Sequence, residues 1–287
     1  MKYGTFFAYW VHEWTGDYKY YAKKVADLGF DILEISAGDL LKMSDGDIAE
    51  LKALCDALGI TVTSNIGPAK KYDVASKDES VREAGIAFLT DIMKQMNKLG
   101  SHSMVGVTYT YWPNDFSDLD KAGIRERSVK SMRRLCDNAD ALGIDMCLEI
   151  VNRFETTLLN TAAEGVDYCR EVDKPRAKLL LDTFHMNIEE DSFTDAFVTA
   201  GDLLGHVHLG EANRKLPGEG RLPWDEIGAA MKKIGYNGNV VMEPFMMQGG
   251  SVGRDIKVWR DLSDGADEAE LDRKIKRSLE FLHTKFD

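Results

Sequence analysis

Four short apolar runs in this sequence each carry an ionisable residue at or near their C-terminal end. They are Glu149 in Met146-Cys147-Leu148-Glu149-Ile150, Asp182 in Leu179-Leu180-Leu181-Asp182, His208 in Gly205-His206-Val207-His208 and Glu243 in Val240-Val241-Met242-Glu243-Pro244. A carboxylate closing a buried strand is costly unless it finds a partner. Any one of these residues alone reads as a helix cap or a surface group. Four at corresponding places on successive runs read as convergence on one point. Three carboxylates and an imidazole make a hard oxygen-and-nitrogen site, which suits Mn²⁺, Mg²⁺ or Co²⁺ better than a thiolate-seeking ion.

Further polar groups follow each run. Arg153 and Glu155 follow Glu149, His185 follows Asp182, and Glu211 and Arg214 follow His208. These are positions in strand-to-helix loops, where binding residues gather. Arg214, six residues past His208, is placed for substrate contact. His206 shares a strand face with His208 and reads as a core histidine one layer lower, with a second ligand as the alternative. His12 and His102 have no supporting neighbours, and His283 reads as part of a solvated helix face. Phe6, Trp14, Tyr111, Trp112 and Phe245 sit near strand ends. Their rings suit the C–H faces of a sugar, with core packing as the competing reading.

The elements that would position these residues alternate along the chain. Strand patterns cover Tyr3–Tyr9, Asp31–Ser36, Thr61–Asn65, Met104–Tyr109, Asp145–Ile150, Lys178–Asp182, His206–Leu209 and Asn239–Glu243. Helical spacing appears in Asp17–Leu28, Val81–Leu99, Ile124–Leu142 and Glu270–Phe286. Leu-Gly or Ile-Gly joints at Gly29, Gly59, Gly100, Gly143 and Gly235 mark helix ends. Eight strand–helix alternations predict a parallel sheet closed into a (β/α)₈ TIM barrel, in the α/β class, with an open doubly wound sheet as the alternative. No linker or low-complexity tract interrupts it, so residues 1–287 read as one barrel domain with a C-terminal helix.

Composition narrows the partners. The formal net charge of -12 argues against nucleic acid and against an anionic membrane surface. Cys55, Cys136, Cys147 and Cys169 are scattered, with no CxxC pair. They read as buried, reduced thiols of a cytoplasmic protein. No signal peptide and no membrane span is expected.

The motifs around the four ligand candidates resemble those of the D-tagatose 3-epimerase and D-psicose (D-allulose) 3-epimerase family. They are Leu148-Glu149-Ile150-Val151-Asn152-Arg153-Phe154-Glu155, Leu181-Asp182-Thr183-Phe184-His185-Met186-Asn187-Ile188-Glu189-Glu190, Gly205-His206-Val207-His208-Leu209-Gly210-Glu211 with Asn213-Arg214, and Met242-Glu243-Pro244-Phe245. Tyr111-Trp112-Pro113, Pro223-Trp224-Asp225-Glu226-Ile227-Gly228 and Ile256-Lys257-Val258-Trp259-Arg260-Asp261-Leu262 add to the resemblance, which runs from the first strand to the last helix.

The resemblance implies that Glu149, Asp182, His208 and Glu243 hold one divalent metal, usually Mn²⁺ or Co²⁺, and that Glu149 and Glu243 are also the acid–base pair. It implies that Glu155, His185 and Arg214 contact a free ketose near its carbonyl and first carbons. Trp14, Trp112 and Phe245 would line the pocket, and the protein would be a homodimer or homotetramer. The expected reaction is C3 epimerisation, as between D-psicose and D-fructose or D-tagatose and D-sorbose. The metal polarises the C2 carbonyl. One glutamate then removes the C3 proton, and the other returns a proton to the opposite face of a cis-enediolate. No redox cofactor is called for.

Phe6 stands where the family commonly has Tyr, Asn65 where a small residue is expected and Thr108 where a larger apolar one is common. All three are expected near the distal end of the sugar. Competing readings are an aldose–ketose or hydroxypyruvate isomerase, a phosphosugar 3-epimerase, a metal-dependent nuclease and a catalytically dead sugar-binding barrel. The absence of a dense basic nest disfavours the phosphosugar reading. Six histidines and the negative charge disfavour the nuclease, and the intact glutamate pair disfavours the dead barrel.

Overall fold

The computed structural model describes residues 1–287. Its strands are β1 (Lys2–Phe6), β2 (Ile32–Ser36), β3 (Thr61–Asn65), β4 (Ser103–Gly106), β5 (Asp145–Ile150), β6 (Ala177–Asp182), β7 (Leu204–Leu209) and β8 (Asn239–Met242). Each strand pairs parallel with the next, and β8 pairs parallel with β1, so the sheet closes into the expected barrel. The helix ends behave as the Leu-Gly joints imply: Gly29 and Gly143 cap helices Tyr18–Leu28 and Lys121–Leu142 in the left-handed conformation, with φ of 93° and 67°. The last helix runs from Glu268 to Phe286. No helix is long and apolar enough to cross a membrane.

Two strands are shorter than their apolar runs. β1 stops at Phe6, and Phe7–Trp10 forms a turn of 3₁₀-helix. Those four side chains are buried all the same, which is why the run stays apolar past the strand. β4 stops at Gly106, whose φ of 111° turns the chain out of the sheet. A side chain there would meet the carbonyl oxygen of Ile66 at 2.4 Å. Three short helices, Thr183–Glu189, Phe193–Ala200 and Gly250–Ile256, carry no strong sequence pattern.

Strand alternation divides every strand between the barrel interior and the helix-facing side. The interior column is Gly4 and Phe6, Ile32 and Glu34, Thr63 and Asn65, Val105 and Val107, Cys147 and Glu149, Leu180 and Asp182, His206 and His208, and Val241 and Glu243. Its lower layer is closed by contact. Val105, Cys147 and Leu180 pack as their own cluster, and any side chain at Gly4 would meet Ile32 Cβ at 2.6 Å. The upper layer is where the polar residues lie. All four cysteines are buried and unpaired. Burial pushes the Cys55 thiol up to about 11 and those of Cys136 and Cys169 up to about 12.

Candidate active site

Glu149, Asp182, His208 and Glu243 meet at the upper end of the barrel, with one donor atom from each lying within 4.8 Å of the others. Glu149 sits in β5, Asp182 ends β6, His208 sits in β7, and Glu243 is the first residue past β8. Asp182 is also a helix cap: its Oδ1 accepts from the Phe184 N–H at 2.9 Å, while its Oδ2 faces the site. His208 Nδ1 is 3.5 Å from Glu149 Oε1 and 3.6 Å from Glu243 Oε2. That nitrogen has no hydrogen-bond partner in the protein.

The electrostatics describe a site short of positive charge. Burial raises the Asp182 carboxyl to about 6, against the pull of the Arg214 guanidinium. Burial also holds Glu243 well above the usual carboxylate range. For His208, burial favours the neutral ring but is outweighed by the carboxylates of Glu243 and Glu34, so its imidazole is pushed up. Three oxygen donors and an unpartnered imidazole nitrogen within 4.8 Å of one another fit a hard divalent cation.

A cavity of about 570 Å³ opens above this cluster. Phe6, Trp14, Trp112 and Phe245 form its apolar wall, and Glu155, His185 and Arg214 add polar edges. Phe6 and Trp14 stack at 28° with centroids 6.1 Å apart. Trp112 Nε1 donates to Glu155 Oε2 at 2.9 Å, and Trp14 Nε1 donates to Asp255 Oδ2 at 2.9 Å. His185 Nδ1 accepts from the Asn152 backbone N–H at 3.1 Å, so in the neutral ring Nε2 carries the proton. Burial, with Arg214 and His208 nearby, holds the ring neutral. His185 is therefore a hydrogen-bond donor aimed into the site. Arg214 reaches Asp182 Oδ2 at 3.2 Å and Glu243 Oε2 at 3.4 Å, with its guanidinium 3.7 Å from the Phe184 ring centroid.

The loop bearing Arg214 is organised by Glu211. This fully buried carboxylate accepts from the backbone N–H groups of Gly218, Arg221 and Leu222 at 3.0, 2.9 and 3.1 Å and from Trp224 Nε1 at 2.7 Å. Arg214 itself has a φ of 65°, and its carbonyl accepts from the Phe245 N–H at 2.9 Å.

Several expectations need correction. Tyr111 does not line the cavity: its hydroxyl donates to Asn114 and Asp115. Thr108 is buried outside the cavity wall with its hydroxyl unpartnered, because the chain leaves the sheet at Gly106 and Val107 takes the wall position. Asn65 lies at the carboxylate end rather than the distal end, with Nδ2 3.2 Å from Glu243 Oε1. Arg153 points away and forms a forked pair with Glu189 at 2.7–3.1 Å. Glu34, in mid β2 and fully buried, is missed by the sequence pattern of strand ends, although a lone acid within an apolar run is a signal. His206 lies one layer below His208, its Nε2 3.3 Å from Glu34 Oε2. Asn152 and Asp255, which hold His185 and Trp14, give no signal in type or spacing.

The fold agrees with comparisons against known proteins. Residues 22–283 match the model of the xylose isomerase-like TIM barrel family. The chain is 54% identical to a D-psicose 3-epimerase of Ruminiclostridium cellulolyticum, covering 98% of this chain and 96% of that one. It is 49% identical to a D-psicose 3-epimerase of Agrobacterium fabrum, covering 98% of each. A crystal structure of D-psicose 3-epimerase with D-tagatose from Clostridium cellulolyticum H10 superposes with a TM-score of 0.99 at 53% identity over 100% of both chains.

Proposed function

We propose that this chain, which belongs to the D-psicose 3-epimerase family of xylose isomerase-like TIM barrels, is a ketose 3-epimerase in which Glu149 and Glu243 are the proton-transfer pair. Its substrates would be free ketohexoses, in the pairs D-psicose/D-fructose and D-tagatose/D-sorbose. The observation that carries this reading is a division within the four-residue cluster. Asp182 and His208 are 0% exposed and lie beneath the cavity, whereas Glu149 and Glu243, at 7% and 6%, reach its wall. On this reading Asp182 and His208 would only hold the ion, whereas Glu149 and Glu243 would hold it and also face substrate.

Glu149, Asp182, His208 and Glu243 are the residues that would hold Mn²⁺ or Co²⁺, with Mg²⁺ as the alternative. When bound, the ion supplies Lewis acidity that makes the proton on the carbon next to the ketose carbonyl easier to remove. Glu149 comes from β5 and Glu243 from just past β8, with a carboxylate oxygen of each within 4.8 Å of the other. One carboxylate takes the C3 proton, and the other delivers a proton to the opposite face, which inverts C3. Each must come within about 3 Å of that carbon. His185, neutral and with its Nε2–H directed inward, donates to a ketose oxygen, as does Arg214. Glu155 accepts from a sugar hydroxyl with Oε1, beside Asn152 and Arg214, while Trp112 holds Oε2. The wall of Phe6, Trp14, Trp112 and Phe245 packs on the apolar face of the sugar and keeps water away from the intermediate.

Incubation of metal-stripped and Mn²⁺-loaded protein with D-fructose in D₂O tests the reading. Deuterium at C3 together with D-psicose, both only with metal, is the expected result. Label at C1 with an aldose product would replace epimerase by aldose–ketose isomerase. The homodimer or homotetramer that the family resemblance implies would be read directly by sedimentation. The four unpaired thiols support a cytoplasmic location.

A further inference from the structure

Glu34 lies under the site, fully buried in β2. Its Oε1 is 2.9 Å from His208 Nε2 and accepts from Asn65 Nδ2 at 3.1 Å, and its Oε2 accepts from the Thr63 hydroxyl at 2.8 Å. The same Asn65 Nδ2 is 3.2 Å from Glu243 Oε1. From this arrangement we infer that Glu34 is a positioning residue for two members of the site at once. It fixes the plane and tautomer of His208 directly, and the rotamer of Glu243 through Asn65. The inference rests on the cluster above being a metal site.

A carboxylate is acceptor-only, and the groups hydrogen-bonded to Glu34 are donors. Facing it, His208 must carry its ring proton on Nε2. In the neutral ring that would bind a metal, this leaves the Nδ1 lone pair free beside the oxygens of Glu149 and Glu243, where the protein offers it no hydrogen. A metal-binding imidazole held by a carboxylate on its other nitrogen is more basic and better oriented. The Asn65 arm is unusual in reaching a second ligand: one amide nitrogen touches both the orienting carboxylate and the proton-transfer carboxylate. A rotation of Glu34 would therefore displace the imidazole and release Glu243 together. A glutamine could keep its oxygen toward His208 and Asn65 and turn its amide to the Thr63 hydroxyl, which also accepts, so what it removes is the negative charge behind the imidazole.

Glu34→Gln tests this in the full-length protein by titration with Co²⁺, read by calorimetry and by the visible absorption of the bound ion. The Co²⁺ dissociation constant is expected to rise by about 10–100-fold with an altered spectrum. Asn65→Ala, which frees only the Glu243 arm, should weaken Co²⁺ binding less than Glu34→Gln does and leave the imidazole in place, while kcat falls about tenfold. A purely structural role for Glu34 would lower the unfolding temperature but leave the affinity and spectrum of the folded protein as they were. That result would overturn the inference. Should Glu34→Gln not fold, Thr63→Val removes only one donor from Oε2 and reads the same quantity. A weakening of Co²⁺ binding of about threefold or more supports the inference, and none overturns it. Wild-type protein that holds no Co²⁺ would remove the metal reading itself. Wild-type that binds while Glu34→Gln binds equally well removes only the role of Glu34.

Discussion

Replacing Glu211 by glutamine removes a charge and one acceptor from the middle of the loop that carries Arg214. Oε1 accepts from Gly218 N–H and Trp224 Nε1–H, and Oε2 accepts from Arg221 and Leu222 N–H. A glutamine satisfies one of these pairs with its oxygen and turns its NH₂ toward the other, so two buried donors lose their acceptor. Each such loss costs about 1–3 kcal/mol, or roughly 2–6 kcal/mol together. At about 2–4 °C per kcal/mol, the unfolding temperature should fall by roughly 4–24 °C, with the lower part applying if the loop opens locally instead. Arg214 bridges Asp182 and Glu243 from this loop, so KM for the ketose should also rise below the unfolding temperature. Calorimetric scanning and initial rates on the Glu211→Gln protein give both quantities. A midpoint within about 1 °C of wild type with unchanged KM would refute the reasoning, because the loop would then be held by something other than this carboxylate.

Glu149→Gln and Glu243→Gln should each block epimerisation yet differ in which C3 epimer still exchanges its proton with D₂O, as NMR of the recovered ketose would show; equal exchange from both epimers contradicts a two-base arrangement. In metal-free protein, the Asp182 carboxyl near 6 lies above its unfolded value, so the stability it contributes is fully present below about pH 4 and is lost as pH rises through about 6. The gap in unfolding temperature between Mn²⁺-loaded and EDTA-treated protein should accordingly widen from about pH 5 to about pH 7, and a constant gap in scanning fluorimetry would count against it. Gly67→Ala would place a Cβ 2.8 Å from Trp112 Cβ, displacing the indole that donates to Glu155. The outcome should be about 1–3 kcal/mol of destabilisation and a several-fold higher KM, read by chemical denaturation and by kinetics.

The four cluster residues are legible in the sequence because packing alone rarely places an ionisable group inside or at the close of an apolar strand, and because barrel geometry sends such groups to one end. Glu34 carries no strand-end signature, because two apolar residues precede it and one follows it within β2. Its meaning comes from β3 and β7 partners that no local pattern announces. The ends of β1 and β4 are overextended in the sequence pattern for a different reason. Phe7–Trp10 and Val107–Tyr109 remain buried after the sheet stops, and hydrophobicity reports burial without reporting backbone conformation. Thr108 and Asn65 show the same limit within the site: alternation fixes which face a residue takes, but the departure at Gly106 and the depth of the ring of side chains decide whether it meets the cavity.

The burial of every thiol has a practical side. Cysteine reagents act on the accessible thiolate, and none of Cys55, Cys136, Cys147 or Cys169 offers one near neutral pH. A cysteine introduced on the surface would then be the sole point of attachment for a maleimide. Lys233, exposed at the C-terminal end of helix Trp224–Lys233, lies on the face of the barrel opposite the cavity mouth, since these helices run back against the strands. Coupling a Lys233→Cys protein to a bead through that one sulfur would leave every molecule oriented alike, mouth toward the solution and open to sugar.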